Sequence, residues 1–108
     1  TKGDLAVQDE RVAHSGLGPF FDEVCICDDK TKSLLVALAQ RHYVPHARVW
    51  VIGNSLKSDI RPALEAGMHA IWIPYHTWLG EEADEESMHG MKRCNTLSDL
   101  PRILDLME

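Results

Sequence analysis

The sequence predicts an α/β domain built on a parallel sheet. Short apolar runs recur at residues 24–27, 49–52 and 70–73. Segments of about ten residues with helical periodicity separate them, and that alternation is the signature of βα units. The polar residues of chemical interest fall where the apolar runs stop, at the carboxyl edge, where parallel sheets gather their ligands.

Size and charge narrow the class. A chain of 108 residues supports one modest domain with a thin core. Its formal charge of -6 argues against a nucleic-acid surface, which needs clustered Lys and Arg. No apolar run approaches the roughly 18 residues of a membrane helix. The opening Thr1-Lys2-Gly3-Asp4 leads into no apolar core of the kind a secretory leader carries. Cys25, Cys27 and Cys94 are odd in number and form no CxxC pair. Cys25 and Cys27 share one face of an expected strand and read as buried apolar fillers. A reducing, cytoplasmic setting is the expectation.

The elements follow in order. Thr1-Lys2-Gly3-Asp4 reads as the end of a strand whose body lies upstream, with Asp4 placed to cap a helix. A weakly amphipathic helix runs from Asp4 to about Gly16, stopped by Gly16, Gly18 and Pro19. Phe20 and Phe21 are expected to anchor the connection into the core. Val24-Cys25-Ile26-Cys27 reads as a buried strand, and Asp28-Asp29-Lys30-Thr31 as its polar edge. A helix over about 32–42 follows, with Leu34, Leu35 and Leu38 as its buried stripe and Val36 and Ala39 at the flanks. Pro45 disfavours helix at Val44 and ends it.

The densest stretch is Val49-Trp50-Val51-Ile52-Gly53-Asn54-Ser55-Leu56-Lys57-Ser58-Asp59-Ile60. Four apolar residues stop at a glycine, and Asp59, Ile60, Ala63, Leu64 and the closing Gly67 form a short amphipathic helix. Asn54 ends the strand and Asp59 opens the helix, so their side-chain oxygens converge on one loop mouth. Oxygen ligands of this kind suit Mg²⁺, which takes one or two protein carboxylates and leaves the rest to water and phosphate. The local pattern equally fits a plain helix cap at Asp59 and a turn residue at Asn54.

Ala70-Ile71-Trp72-Ile73, closed by Pro74, is the next strand. The acidic group Glu81, Glu82, Asp84, Glu85 and Glu86 reads as a solvated loop face. Arg93-Cys94 adds a short edge strand. Thr96 or Ser98 caps a last helix with Leu100, Ile103, Leu104 and Met107 inward. The six histidines show no zinc spacing. His76 and Trp78, just past a sheet edge, are the only members of this group placed as neighbours of a substrate pocket.

At these residues the chain resembles the haloacid dehalogenase superfamily of phosphatases and related hydrolases. Thr1 in Thr-Lys-Gly-Asp is similar to the family's second motif, a hydroxyl that bonds the transferring phosphoryl group. Lys30 in Asp-Asp-Lys-Thr is similar to the third, a lysine neutralising nucleophile and phosphoryl oxygens. Gly53-Asn54-Ser55-Leu56-Lys57-Ser58-Asp59 resembles the fourth, the acidic loop that helps hold Mg²⁺, and Arg61 to Met68 strengthens the match. The resemblance runs from Thr1 to about Pro74 and weakens beyond. It departs from the family at Asn54, where aspartate is common, and in lacking any Asp-x-Asp nucleophile motif.

The resemblance implies a Rossmann-like parallel sheet with helices on both faces, lacking its nucleophile-bearing central strand in this chain. Residues 1–108 would be the C-terminal portion of the core domain, carrying the second to fourth motifs, with no cap domain visible. It implies a Mg²⁺-dependent hydrolase of a small-molecule phosphate ester, working through an aspartyl-phosphate whose Asp lies upstream. Thr1, Lys30 and Asp59 are the implied catalytic residues. Thr1, Lys2, Gly3 and Lys30 would bind phosphate; Asn54 and Asp59 would bind the metal. The upstream portion, or a second copy, would complete the sheet, and this portion alone would be inactive. The other reading is a non-catalytic module of the same fold that binds a phosphorylated ligand or a protein partner.

Overall fold

The computed structural model describes residues 1–74 and 90–107. The chain divides into two compact units, Thr1–Lys30 and Thr31–Glu108.

In the first unit, helix α1 spans Leu5–Ser15. Asp4 caps it as expected, its Oδ1 accepting from the Val7 amide at 3.1 Å. Gly16 closes it in the left-handed region, φ 68°. A 3₁₀ turn over Gly18–Phe20 leads into extended chain. Residues 24–27 are not the buried strand expected of them. They bridge in parallel to residues 1–3: the Cys27 amide donates to the Thr1 carbonyl at 2.9 Å and the Gly3 amide to the Cys27 carbonyl at 3.0 Å. Val24 is 43 % exposed, and Cys25 and Cys27 are half-buried rather than core fillers. Phe20 and Phe21 are exposed, at 82 % and 61 %, and anchor nothing. The reason is coverage. A strand is buried only when neighbours and helices close over it, and α1 contributes no buried residue.

The second unit carries a three-stranded parallel sheet, β1 (Trp50–Gly53), β2 (His69–Trp72) and β3 (Met91–Arg93), in the order β1-β2-β3. Trp50 pairs with His69 and Gly53 with Trp72; Trp72 pairs in turn with Arg93. Helix α2 (Lys32–Arg41) is capped by Thr31, whose Oγ1 accepts from the Leu34 amide. Ala39 is its buried residue and Leu35 and Val36 pack with it against the core, while Leu34 and Leu38 are half-buried. Tyr43 takes a positive φ of 57° just ahead of Pro45, and the chain re-enters through a 3₁₀ turn over His46–Arg48.

A π-helical turn over Leu56–Ile60 runs straight into α3 (Arg61–Glu65), and Gly67 at φ 77° ends the helix. The opening of this segment differs from the sequence expectation. Ser55, not Asp59, is the cap, its Oγ accepting from the Ser58 amide at 3.1 Å. Asp59 sits four residues later, within the turn. After β3, a 3₁₀ turn over Leu97–Asp99 leads to α4 (Leu100–Met107). Thr96 caps through no backbone amide; its Oγ1 donates instead to Asp99 Oδ2 at 3.1 Å.

Strand alternation sorts the core into two layers. Ala70 and Trp72 face α2 and α3, joined by Leu56, Ile60, Ala63 and Met68. Ile71 and Ile73 face α4, joined by Cys94, Leu100, Ile103 and Leu104. Helices thus cover both faces of the sheet, as the resemblance implied. Among the described residues β1 is an edge strand, and its Ile52 remains 39 % exposed. Leu56, Ile60, Ile71 and Trp72 are fully buried, each contributing on the order of 1.5–3 kcal/mol of apolar transfer. His76, Trp78 and the acidic group at 81–86 lie outside the described residues.

Candidate active site

The loop that follows β1 is built around one carboxylate. Asp59 is 3 % exposed, the most buried charged side chain among the described residues. Burying a carboxylate is costly unless donors meet it. The Ser55 amide does so, donating to Asp59 Oδ2 at 3.2 Å. The same oxygen lies so close to Gly53 that a Cβ at that position would overlap it. Gly53 and Ser55 flank Asn54 in the chain, so Asp59 is folded back onto the residues either side of Asn54. Asn54 itself is exposed at the end of β1. Its carbonyl accepts from the Trp72 indole N–H at 3.0 Å.

An exposed amide oxygen and a buried carboxylate at one strand end are the donor type that Mg²⁺ selects. Among the described residues no three His, Cys, Asp or Glu side chains converge into a larger metal cluster. Asn54 and Asp59 could supply two oxygen ligands to such an ion, with phosphate and water supplying the rest.

The remaining expected residues belong to the first unit. Residues 1–3 and 27–29 are drawn side by side by the parallel bridge of Lys2 with Cys27. Lys2 Nζ lies 3.5 Å from Asp29 Oδ1, so its charge is partly answered within the loop. Gly3 adopts φ 145°, with the Gln8 side chain packed where a Cβ would point. Lys30 is half-buried and follows Asp29 directly. So Thr1, Lys2, Gly3 and Lys30 share one unit, and Asn54 and Asp59 share the other.

Sequence reasoning passed over Ser55 and Trp72. A signal for the second was present: a tryptophan in a buried strand carries an N–H that needs an acceptor.

A family model described as HAD-hydrolase-like matches residues 29–100, two thirds of the chain and the whole stretch from Asp29 through the β1 loop to α4. The chain belongs to that family. Among relatives, this HAD-like chain is 27 % identical over 113 residues to the pyrimidine 5'-nucleotidase YjjG of Escherichia coli, covering 99 % of this chain and 47 % of that protein. A haloacid dehalogenase-like hydrolase from Xanthomonas campestris superposes with a TM-score of 0.81 at 28 % identity, over 99 % of this chain and 45 % of that one. The HAD-hydrolase YfnB of Bacillus subtilis, solved bound to magnesium, superposes with a TM-score of 0.77 at 22 % identity, over 96 % and 46 %. The HAD-like chain thus spans about half the length of each. Among its described residues no helix is long and apolar enough to cross a membrane.

Proposed function

We propose that this chain is the C-terminal portion of the core domain of a Mg²⁺-dependent phosphatase, acting on a small phosphate ester such as a nucleoside 5'-monophosphate. The observation that carries the reading is the buried Asp59 carboxylate, held by the Ser55 amide beside an exposed Asn54 at the end of a parallel strand. Family membership and the name of the Escherichia coli relative support the reaction class and the choice of ester.

In the complete polypeptide an upstream aspartate is the nucleophile. Its carboxylate oxygen attacks phosphorus, the bond to the leaving alkoxide breaks, and water then hydrolyses the aspartyl-phosphate. The transferring group carries spread negative charge, so catalysis is chiefly positioning and cationic stabilisation. Thr1 bonds a phosphoryl oxygen through its hydroxyl, and the Lys2 backbone amide assists, since the Gly3 amide already donates to the Cys27 carbonyl. Lys30 supplies a fixed positive charge. Asn54 and Asp59 would hold Mg²⁺ through their side-chain oxygens, and the ion would supply positive charge beside the transferring group. The order of these motifs along the chain, rather than a distance between the two units, supports placing them in one reaction. Three free thiols fit a reducing, cytoplasmic compartment.

Asn54 favours a second reading, a phosphate-binding module without turnover, because an amide brings less charge to the metal than a carboxylate. The test is phosphate release from pyrimidine nucleoside monophosphates by the complete polypeptide with and without Mg²⁺. Metal-dependent release abolished by Asp59→Asn supports the enzyme. A folded protein that binds these esters and releases no phosphate leaves the binding module.

A further inference from the structure

We infer that Trp72 is a positioning residue for the Asp59 loop, acting through a single peptide group. This rests on the Mg²⁺-site reading of Asn54 and Asp59. The ladder between β1 and β2 ends where the Ile73 amide donates to the Gly53 carbonyl at 2.9 Å. The next carbonyl along, that of Asn54, has passed the last rung. The Trp72 indole N–H takes it at 3.0 Å, bridging 18 residues.

The same peptide plane carries the Ser55 N–H, which donates to Asp59 Oδ2 at 3.2 Å. No peptide among the described residues is cis, so the C=O of Asn54 and the N–H of Ser55 point in opposite directions. Holding one end therefore aims the other. The chain of contacts reads indole N–H, Asn54 C=O, Ser55 N–H, Asp59 carboxylate, and polarisation through such a chain strengthens both bonds. Trp72 is well placed to serve as the fixed end. It is fully buried in the middle strand, its backbone pairs with Gly53 on one side and Arg93 on the other, and the Arg93 guanidinium lies 5.1 Å above its ring. An indole held that way cannot turn its N–H elsewhere.

The test uses the complete polypeptide. Replacing Trp72 with benzothienylalanine keeps the bicyclic shape and removes the donor; Trp72→Phe is the genetic counterpart, and Asp59→Asn the control. Mg²⁺ affinity is measured by calorimetry, and the Ser55 and Ile73 amide protons are followed by NMR. The expected result is a roughly three- to tenfold loss of Mg²⁺ affinity on removing the donor, the scale of one hydrogen bond. The Ser55 amide should move upfield while the Ile73 ladder amide holds. The KM for the ester at saturating Mg²⁺ should not change. An isostere that binds Mg²⁺ as the parent does and leaves the Ser55 amide in place overturns the inference. If Asp59→Asn also leaves Mg²⁺ affinity intact, or the parent binds none, the metal-site reading has failed, and the inference with it.

Discussion

The carboxylate of Asp59 lies against the backbone of Gly53, in the space a side chain there would fill. Five residues separate the two, and the π-helical turn over Leu56–Ile60 brings one back to the other. Gly53→Ala should therefore displace the carboxylate rather than merely crowd the loop. Overpacking of this kind costs about 1–3 kcal/mol. We expect a fall in Tm of several degrees together with loss of Mg²⁺-dependent turnover. A variant with parental Tm and turnover would show that the loop accommodates the methyl freely.

Lys30→Ala in the complete polypeptide should lower kcat by tenfold or far more, on the order of several kcal/mol of transition-state stabilisation. Lys2→Ala is the contrast. Lys2 is an exposed partner of Asp29, and pairs of that kind contribute roughly 0–1 kcal/mol, so Tm should barely move. Steady-state kinetics and thermal melts on the two variants separate a catalytic lysine from a surface one. Unchanged turnover in Lys30→Ala would return it to the surface class.

Asn54→Asp restores the carboxylate common in the family at an exposed position, where the added charge needs no desolvation. Mg²⁺ should bind more tightly, by about the tenfold that one extra favourable interaction of 1.4 kcal/mol provides. Calorimetry measures this directly. Weaker binding in the variant would remove Asn54 from the metal shell.

The 108-residue chain alone should release no phosphate from an aryl phosphate with Mg²⁺ and should aggregate or stay partly unfolded. Leu17, Phe20, Phe21 and Val24 are exposed in the first unit, and all but Phe20 line a cleft of about 310 Å³ with Val12 and Cys25. β1 leaves one edge of the second unit's sheet without a partner strand among the described residues, and unpaired edges invite association. Size-exclusion chromatography and a thermal melt decide the matter, and adding an upstream portion should restore fold and turnover together. A monomeric, cooperatively melting and active 108-residue chain would overturn the topology and the mechanism.

Local chemistry made much of this molecule legible in advance. Asp4 and Gly16 bound α1, Gly67 follows the end of α3, Pro45 keeps the chain beyond α2 from resuming helix, and the apolar runs at 49–52 and 70–73 become β1 and β2 within one residue. Each signal acts over a few residues: a side chain that meets a nearby amide, a ring without an N–H, a backbone free to take positive φ. The placing of Asn54 and Asp59 at the end of β1 followed from the same punctuation. What tertiary structure alone decided depends on atoms far apart in sequence. Residues 24–27 have the composition of a buried strand, yet burial needs covering layers, and α1 buries nothing. Asp59 was placed to open a helix, but Ser55 takes the cap and leaves the carboxylate to turn back toward Gly53. And the Asn54 carbonyl is held from 18 residues away, because the buried Trp72 indole has one proton to donate and the sheet register sets that carbonyl within its reach.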